Sequence, residues 1–213
     1  MVKTPIVKEG YIYIAVLGLV TIITALTLGT YWALIPGVFT AFVTFFFRNP
    51  KRDVPEDDTL IVSPADGKVM GVTEVYDDQF LNDKGIKVTI FLSVFDVHVN
   101  RSPVQGEIKF QQYTCGRFKP AYKESASCEN ERHAIGLEND KMRILVTQIA
   151  GILARRIVSW VTLGTMLKQG ERYGLIKFGS CTELIVPGTV EIFVKKGDRV
   201  KGGKTVIGRL REE

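Results

Sequence analysis

The pattern of apolar and polar positions divides this chain into two unlike parts. From Tyr11 to Phe47 there are 37 residues without an Asp, Glu, Lys or Arg. One helix of that length would run to about 55 Å, well beyond a hydrocarbon layer of about 30 Å. Near the middle stand Gly29, Thr30, Tyr31 and Trp32, then Pro36 and Gly37, a mixture of interfacial aromatics and helix breakers. The pattern therefore predicts two short helices, about 11–28 and 33–47, joined by a tight turn. Beyond a polar, Pro-containing linker over 48–59, short β-type runs follow one another. They cover 60–62, 67–75, 85–92, 107–113, 133–138, 142–148, 182–186, 189–195 and 205–210, with Gly, Pro, Asp and Asn between them. One short soluble helix is expected, within 152–160 or 118–127. The predicted fold class is mainly β with few helices (α+β): an antiparallel β domain preceded by an N-terminal hydrophobic helical hairpin.

Charge sharpens the picture of the first part. Lys3 and Lys8 precede the apolar stretch, and Arg48, Lys51 and Arg52 follow it. Positive charge on both flanks suits a hairpin with both ends on the cytoplasmic side, at the cell membrane. A cleaved signal peptide would be about half as long and end in small residues, whereas Phe45-Phe46-Phe47-Arg48 follows here. Whether the pair spans the bilayer or enters one leaflet stays open. The expected organisation is a membrane anchor over 1–47 and a globular domain over 48–213.

Outside residues 1–47 there are 26 basic and 22 acidic residues, too mild and dispersed a balance for a nucleic-acid partner and compatible with an anionic lipid surface. Cys115, Cys128 and Cys181 form no CxxC pair, and only His98 and His133 are present, so no metal site is expected. The last segment, with Lys196-Gly197-Asp198 and Gly202-Gly203 between β runs, looks like half of a biotinyl/lipoyl-type barrel-sandwich, and residues 62–70 share that hairpin character. A membrane-tethered carrier or adaptor without catalysis is thus a rival reading, although neither Lys195 nor Lys196 lies in the turn such a carrier modifies.

Residues 178–183 are Phe-Gly-Ser-Cys-Thr-Glu. Alone, this is a polar turn between strands. Yet a hydroxyl directly after Gly179 can approach the preceding carbonyl with little steric obstruction, and Ser180 would need a base, for which His98 is available. The hexapeptide closely resembles the processing site of phosphatidylserine decarboxylases, especially the short archaeal and bacterial branch that includes archaetidylserine decarboxylases. Further blocks agree in order: 63–67 (SPADG), 95–103 (FDVHVNRSP), 130–132 (NER), 148–151 (QIAG), 154–158 (ARRIV) and 170–174 (GERYG).

The resemblance implies two reactions. In the first, Ser180 Oγ attacks the Gly179 carbonyl, and the ester eliminates to give a β chain (1–179) and an α chain (180–213) that stay together as a heterodimer. Higher homo-oligomers are left open. The new α-chain terminus becomes a pyruvoyl group, the expected cofactor, covalent and derived from Ser180. In the second, that group forms a Schiff base with the serine head group of a phospholipid, and CO2 leaves to give the ethanolamine lipid. By the same resemblance His98 assists proton transfer, and Asp66 is the carboxylate that orients a histidine and helps the serine attack. Some longer relatives carry a second histidine where this chain has Arg101, so His98 serves one or both reactions, and Arg101 is a phosphate- or carboxylate-binding candidate. Arg155 and Arg156 are weaker head-group candidates, residues 116–123 are a possible substrate-facing loop, and His133 is read as structural. A conventional serine hydrolase remains a third reading. The sequence leaves acyl-ester and isoprenoid-ether lipid tails undistinguished.

Overall fold

A computed structural model describes residues 4–55, 57–116, 129–151, 156–177 and 180–211. The chain forms two compact units, 1–51 and 52–213.

In the first unit, α1 (Lys8–Leu28) and α2 (Thr30–Phe46) pack as a hairpin. The reversal needs only Gly29, at φ +91°, a conformation that a side chain would oppose. Pro36 and Gly37, read from the sequence as breakers, lie inside α2 instead. Within the apolar stretch, five threonine hydroxyls turn back onto their own helices. Thr21 donates to Leu17 O, Thr24 to Val20 O, Thr27 to Ile23 O, Thr40 to Pro36 O and Thr44 to Thr40 O. Polar groups are thereby satisfied without water, as an apolar surrounding demands. The outward side chains are apolar, among them Ile12, Leu19, Ile23 and Leu26. By length and composition α1 is apolar enough to cross a membrane.

The second unit is built from antiparallel pairings. Its strands are β1 (Leu60–Val62), β2 (Gly67–Asp77), β3 (Asp83–Leu92), β4 (Val99–Arg101), β5 (Gly106–Thr114), β6 (Arg132–Glu138), β7 (Arg143–Ala150), β8 (Ile157–Ser159), β9 (Met166–Leu167), β10 (Arg172–Ile176), β11 (Ser180–Pro187), β12 (Val190–Ile192), β13 (Arg199–Val200) and β14 (Val206–Leu210). A large sheet has the order β13-β2-β3-β11-β7-β6-β5-β9, and two smaller ones run β4-β10-β8 and β1-β14-β12. The mainly antiparallel β expectation holds. Five strands fall outside the expected runs, β4, β8, β9, β10 and β13; of these, β8 (157–159) lies inside a stretch where a helix was expected and is a strand because Ile157, Val158 and Ser159 pair with Ile176, Leu175 and Gly174 of β10. The alternative helix, 118–127, lies outside the described residues.

Strand alternation explains the core. The even-numbered side chains Leu184 and Val186 of β11 join Val88 and Ile90 of β3, Ile144 and Val146 of β7 and Ile135 and Leu137 of β6 in one apolar cluster. The opposite face carries Leu145 and Ala134, packed with Phe80 and Ile185. The central strands are thus buried on both faces and read as continuous apolar runs. Ser180 and Thr182 continue the even-numbered face of β11 and replace its apolar side chains with hydroxyls.

Candidate active site

β11 starts at Ser180, which pairs with Leu92 of β3 on one side and Ala150 of β7 on the other. The first residue of the strand is therefore held between two neighbours and is fully buried. Its Oγ has no hydrogen-bond partner among the described residues. An unsatisfied buried hydroxyl costs about 1–3 kcal/mol, a state that Ser180 shares with the fully buried Tyr173 hydroxyl. Gly179, the other half of the expected cleavage site, lies outside the described residues.

The loop that leaves Leu92, opposite Ser180, leads to His98. It turns because Asp96 Oδ2 accepts the Ser93 N–H at 2.9 Å. His98 is fully buried, and its backbone carbonyl accepts the Ile176 N–H at 3.2 Å, tying it to the chain four residues before Ser180. Its Nδ1 lies 3.0 Å from the Asp96 carbonyl. A carbonyl only accepts, so in the neutral ring the proton sits on Nδ1 and Nε2 carries the lone pair. That is the tautomer a base requires.

Asp66 occupies the turn before β2. Its carboxylate is held by Arg52, whose Nη2 lies 2.9 and 2.7 Å from Oδ1 and Oδ2, and by the Gly202 N–H at 2.8 Å. The Asp66 carboxylate is thus engaged by an arginine and a backbone amide rather than by His98, which is oriented by the Asp96 carbonyl instead. Burial raises the Asp66 pKa, and the Arg52 charge pulls against that rise. Arg52 stands in the segment read from sequence as a linker. Its guanidinium is nonetheless almost fully covered.

Arg101 is also buried and donates from Nη1 to the Gly170 carbonyl at 3.0 Å. Burial, with the Arg52 and Arg172 charges beside it, pushes its pKa down to about 10. Arg156 is exposed. Arg155 and most of the expected 116–123 loop lie outside the described residues. Among the described residues, no cluster of three or more His, Cys, Asp or Glu side chains could hold a metal.

Sequence reasoning missed a buried polar row beside Ser180. Thr182, Gln148 and His133 lie side by side on β11, β7 and β6, and all three are buried. Asn100 of β4 lies against them, donating to Thr182 Oγ1 at 3.1 Å and accepting from Gln148 Nε2 at 2.7 Å. Two-residue spacing is the available signal: Asn100 follows His98 by two, and Thr182 follows Ser180 by two. The Asn100–Thr182 bond thus ties the segment that carries His98 to the strand that carries Ser180.

These features define the class: a β-rich unit following an apolar helical hairpin, with a buried serine hydroxyl at the start of a central strand. The family model for phosphatidylserine decarboxylase matches residues 39–208. A phosphatidylserine decarboxylase proenzyme of Carboxydothermus hydrogenoformans is 50% identical over 213 residues, spanning 98% of this chain and 99% of its own. Proteins of the same name from Symbiobacterium thermophilum and Geotalea uraniireducens are 46% and 42% identical, each over 98% of this chain and over 97% and 98% of their own. The chain belongs to the phosphatidylserine decarboxylase family, and the enzyme reading, a carboxy-lyase, prevails over the carrier reading.

Proposed function

We propose that the chain is a proenzyme that cuts itself between Gly179 and Ser180 and then decarboxylates the serine head group of phosphatidylserine. The observation that carries this reading is the buried Ser180 hydroxyl at the start of β11, without a hydrogen-bond partner among the described residues. A fold retains such a group at a stability cost where chemistry uses it.

Ser180 Oγ adds to the Gly179 carbonyl carbon and loses its proton to a base, for which His98 Nε2 is the nearest fit in chemistry. The Gly179–Ser180 C–N bond breaks, the amine takes a proton, and an ester joins Gly179 to Oγ. Loss of the Cα proton expels the Gly179 carboxylate, freeing chain 1–179 and leaving a dehydroalanine at 180. Water then releases ammonia and leaves a pyruvoyl terminus. That group supplies a ketone able to condense with the head-group amine and to accept the electrons set free as CO2 departs. The buried position of residue 180 fits the group, because it keeps water away from the reacting carbon. Asp66, fixed by Arg52 and Gly202, is the carboxylate that supports proton movement. Arg101 acts on the site through position and charge, since it is buried and bonded to Gly170 O, while Arg155 and Arg156 are weaker head-group contacts.

The two chains stay together as a heterodimer because β11 is hydrogen-bonded on both sides, to β3 and β7. Residues 1–47 are the anchor and 48–213 the decarboxylase domain, working at the cytoplasmic face of the cell membrane. Intact-mass analysis of purified chain is expected to give a 34-residue fragment starting at position 180 with a blocked N terminus. Ser180→Ala stays whole. His98→Asn, which preserves a donor for the Asp96 carbonyl but has no base, cleaves about 10²–10⁴-fold more slowly. CO2 release is expected from phosphatidylserine and is compared with archaetidylserine in the same vesicles. A wild-type chain that stays uncut in lipid and releases no CO2 would sink the proposal.

A further inference from the structure

Residues 194–204, part of the barrel-sandwich-like hairpin, carry five cations, Lys195, Lys196, Arg199, Lys201 and Lys204, against one acid, Asp198. All five cations are exposed. The Asp198 carboxylate accepts the Lys195 N–H at 2.9 Å and so caps the turn. Lys68, also exposed, joins the group. It stands directly opposite Arg199 where β2 pairs with β13, and opposed residues share a face. None of the five lysines forms an ion pair among the described residues. The fold gains nothing by gathering like charges, which repel one another.

These cations stand on a fixed frame. The turn at Gly197 has φ +104°, where a side chain would be strained. It is tied to β2 by the Gly197 N–H on Val69 O at 2.8 Å and the Val69 N–H on Asp198 O at 2.9 Å. The Lys201 N–H is held by Thr205 Oγ1 at 2.9 Å. The same segment touches the candidate site. Its Gly202 N–H holds Asp66, and Arg199 Nη1 lies 3.2 Å from Asp96 Oδ1, in the loop whose carbonyl orients His98. Next to Asp96 is Phe95, which is 64% exposed. An exposed aromatic beside exposed cations suits a lipid interface, where rings enter the head-group layer and cations meet its charge. The substrate of this family lies in such a layer and is itself anionic, which favours lipid over a soluble polyanion.

We propose that this cationic edge of the second unit, with Phe95, is a docking surface for a bilayer rich in anionic lipid, separate from the apolar hairpin. The inference rests on the lipid substrate of the proposed function and not on self-cleavage. The head group of phosphatidylserine carries phosphate, carboxylate and ammonium, with one net negative charge. Loss of CO2 with uptake of a proton leaves phosphate and ammonium, which together are neutral. The surface thus favours membrane that still holds substrate and loosens as product accumulates.

The test is amide hydrogen exchange of the full-length Ser180→Ala chain on vesicles of phosphatidylcholine, alone or mixed with phosphatidylglycerol, which is anionic but has no amine. Amides of 93–97 and 195–205 are expected to exchange several-fold more slowly on the anionic vesicles. The difference is lost at about 1 M salt, where charges are screened within about 3 Å. Lys195→Gln with Lys196→Gln, and separately Lys68→Gln with Lys204→Gln, should each weaken the contact by about thirtyfold, or about fivefold per lysine. Most of the protection then disappears, while exchange along β3 and β11 stays that of the parent and reports an intact fold. In the wild-type background the same pairs raise the KM for vesicle-borne phosphatidylserine at unchanged kcat. Equal exchange on the two kinds of vesicle, or protection by soluble duplex RNA in place of anionic vesicles, overturns the docking surface. Failure of the wild-type chain to cleave, with the protection intact, overturns the reading of Ser180 and leaves the docking surface standing.

Discussion

At the scale of single residues, the candidate site is a contest between burial and charge. Ser180, His98 and Asp66 were legible through their sequence blocks, because each stands in a run whose wording matches a known family. Their partners were not legible. Arg52 stands in a polar tract that reads as linker, and its bond to Asp66 spans a turn whose geometry no local pattern encodes. Gln148 and Thr182 are isolated polar positions in apolar strands, and which side chain meets them depends on sheet order. The Arg52–Asp66 pair carries a prediction about pH. Burial raises the Asp66 pKa, and Arg52 lowers it by favouring the ionised carboxylate. Arg52→Gln removes the opposing charge, so the Asp66 value rises further. If the ionised form of Asp66 supports self-cleavage, the acid limb of the rate–pH profile moves to higher pH. Cleavage rates measured across pH 4–8 on wild type and Arg52→Gln should show that shift, and an unmoved limb would remove Asp66 from the ionisation that matters.

At the scale of elements, the long strands and the short β1 and β12 were readable, while β4, β8, β9, β10 and β13 were not. The sequence reading placed 85–92 and 182–186 within β3 and β11, because alternating or continuous apolar runs of that length have few other solutions. Three-residue β4, β8 and the two-residue β13 carry too few positions to show any period. β8 was even covered by a helix expectation, since ARRIVSW has no breaker and only the partner strand β10 decides its conformation. These short strands matter because β4, β10 and β8 form the small sheet whose β4 residue Asn100 reaches Thr182. β11 is the seam of the whole unit, with the proposed cleavage at its first residue and a neighbour on each side. Leu184 lies fully buried on that strand, within the main apolar cluster. Leu184→Ala is expected to destabilise the Ser180→Ala chain by about 2–5 kcal/mol, read by urea denaturation. In the processed wild type the same substitution should let the 34-residue fragment separate at lower urea, as measured by size exclusion. If the fragment is no easier to remove, its retention does not depend on packing along β11.

At the scale of the whole molecule, hydropathy is segregated rather than mixed, and this was the most legible feature of all. A stretch of 37 residues without formal charge leaves little choice but burial or lipid, and the outward faces of α1 and α2 are apolar rather than covered by protein. What the sequence did not reveal is that the hairpin is closed at both ends. Gly29 makes the turn, while Val7 N donates to Phe47 O at 3.0 Å and Asn49 N to Pro5 O at 2.7 Å at the open end. Gly10 lies so close to Phe47 that an added Cβ would meet its ring carbon at 2.7 Å, so the two ends of the stretch are clamped by contacts far apart in sequence. The apolar hairpin and Ser180 lie in separate compact units, so the proposed anchoring and the proposed self-cleavage should be separable by substitution. Leu19 and Ile23 lie on the exposed face of α1. An arginine at the centre of a membrane helix is unfavourable by about 2.5–3.5 kcal/mol, so Leu19→Arg with Ile23→Arg should lower vesicle binding by more than a hundredfold. Self-cleavage, which depends on residues in the second unit, should continue at an unchanged rate in detergent, while CO2 release from vesicle-borne phosphatidylserine falls with binding. Flotation against vesicles, set beside cleavage and CO2 release on the same preparation, distinguishes the cases. If the double variant still floats with the vesicles, the hairpin is not what holds the enzyme to lipid. If it detaches and also stops cutting itself, the hairpin is part of the machinery that matures Ser180, and the two units are coupled in function.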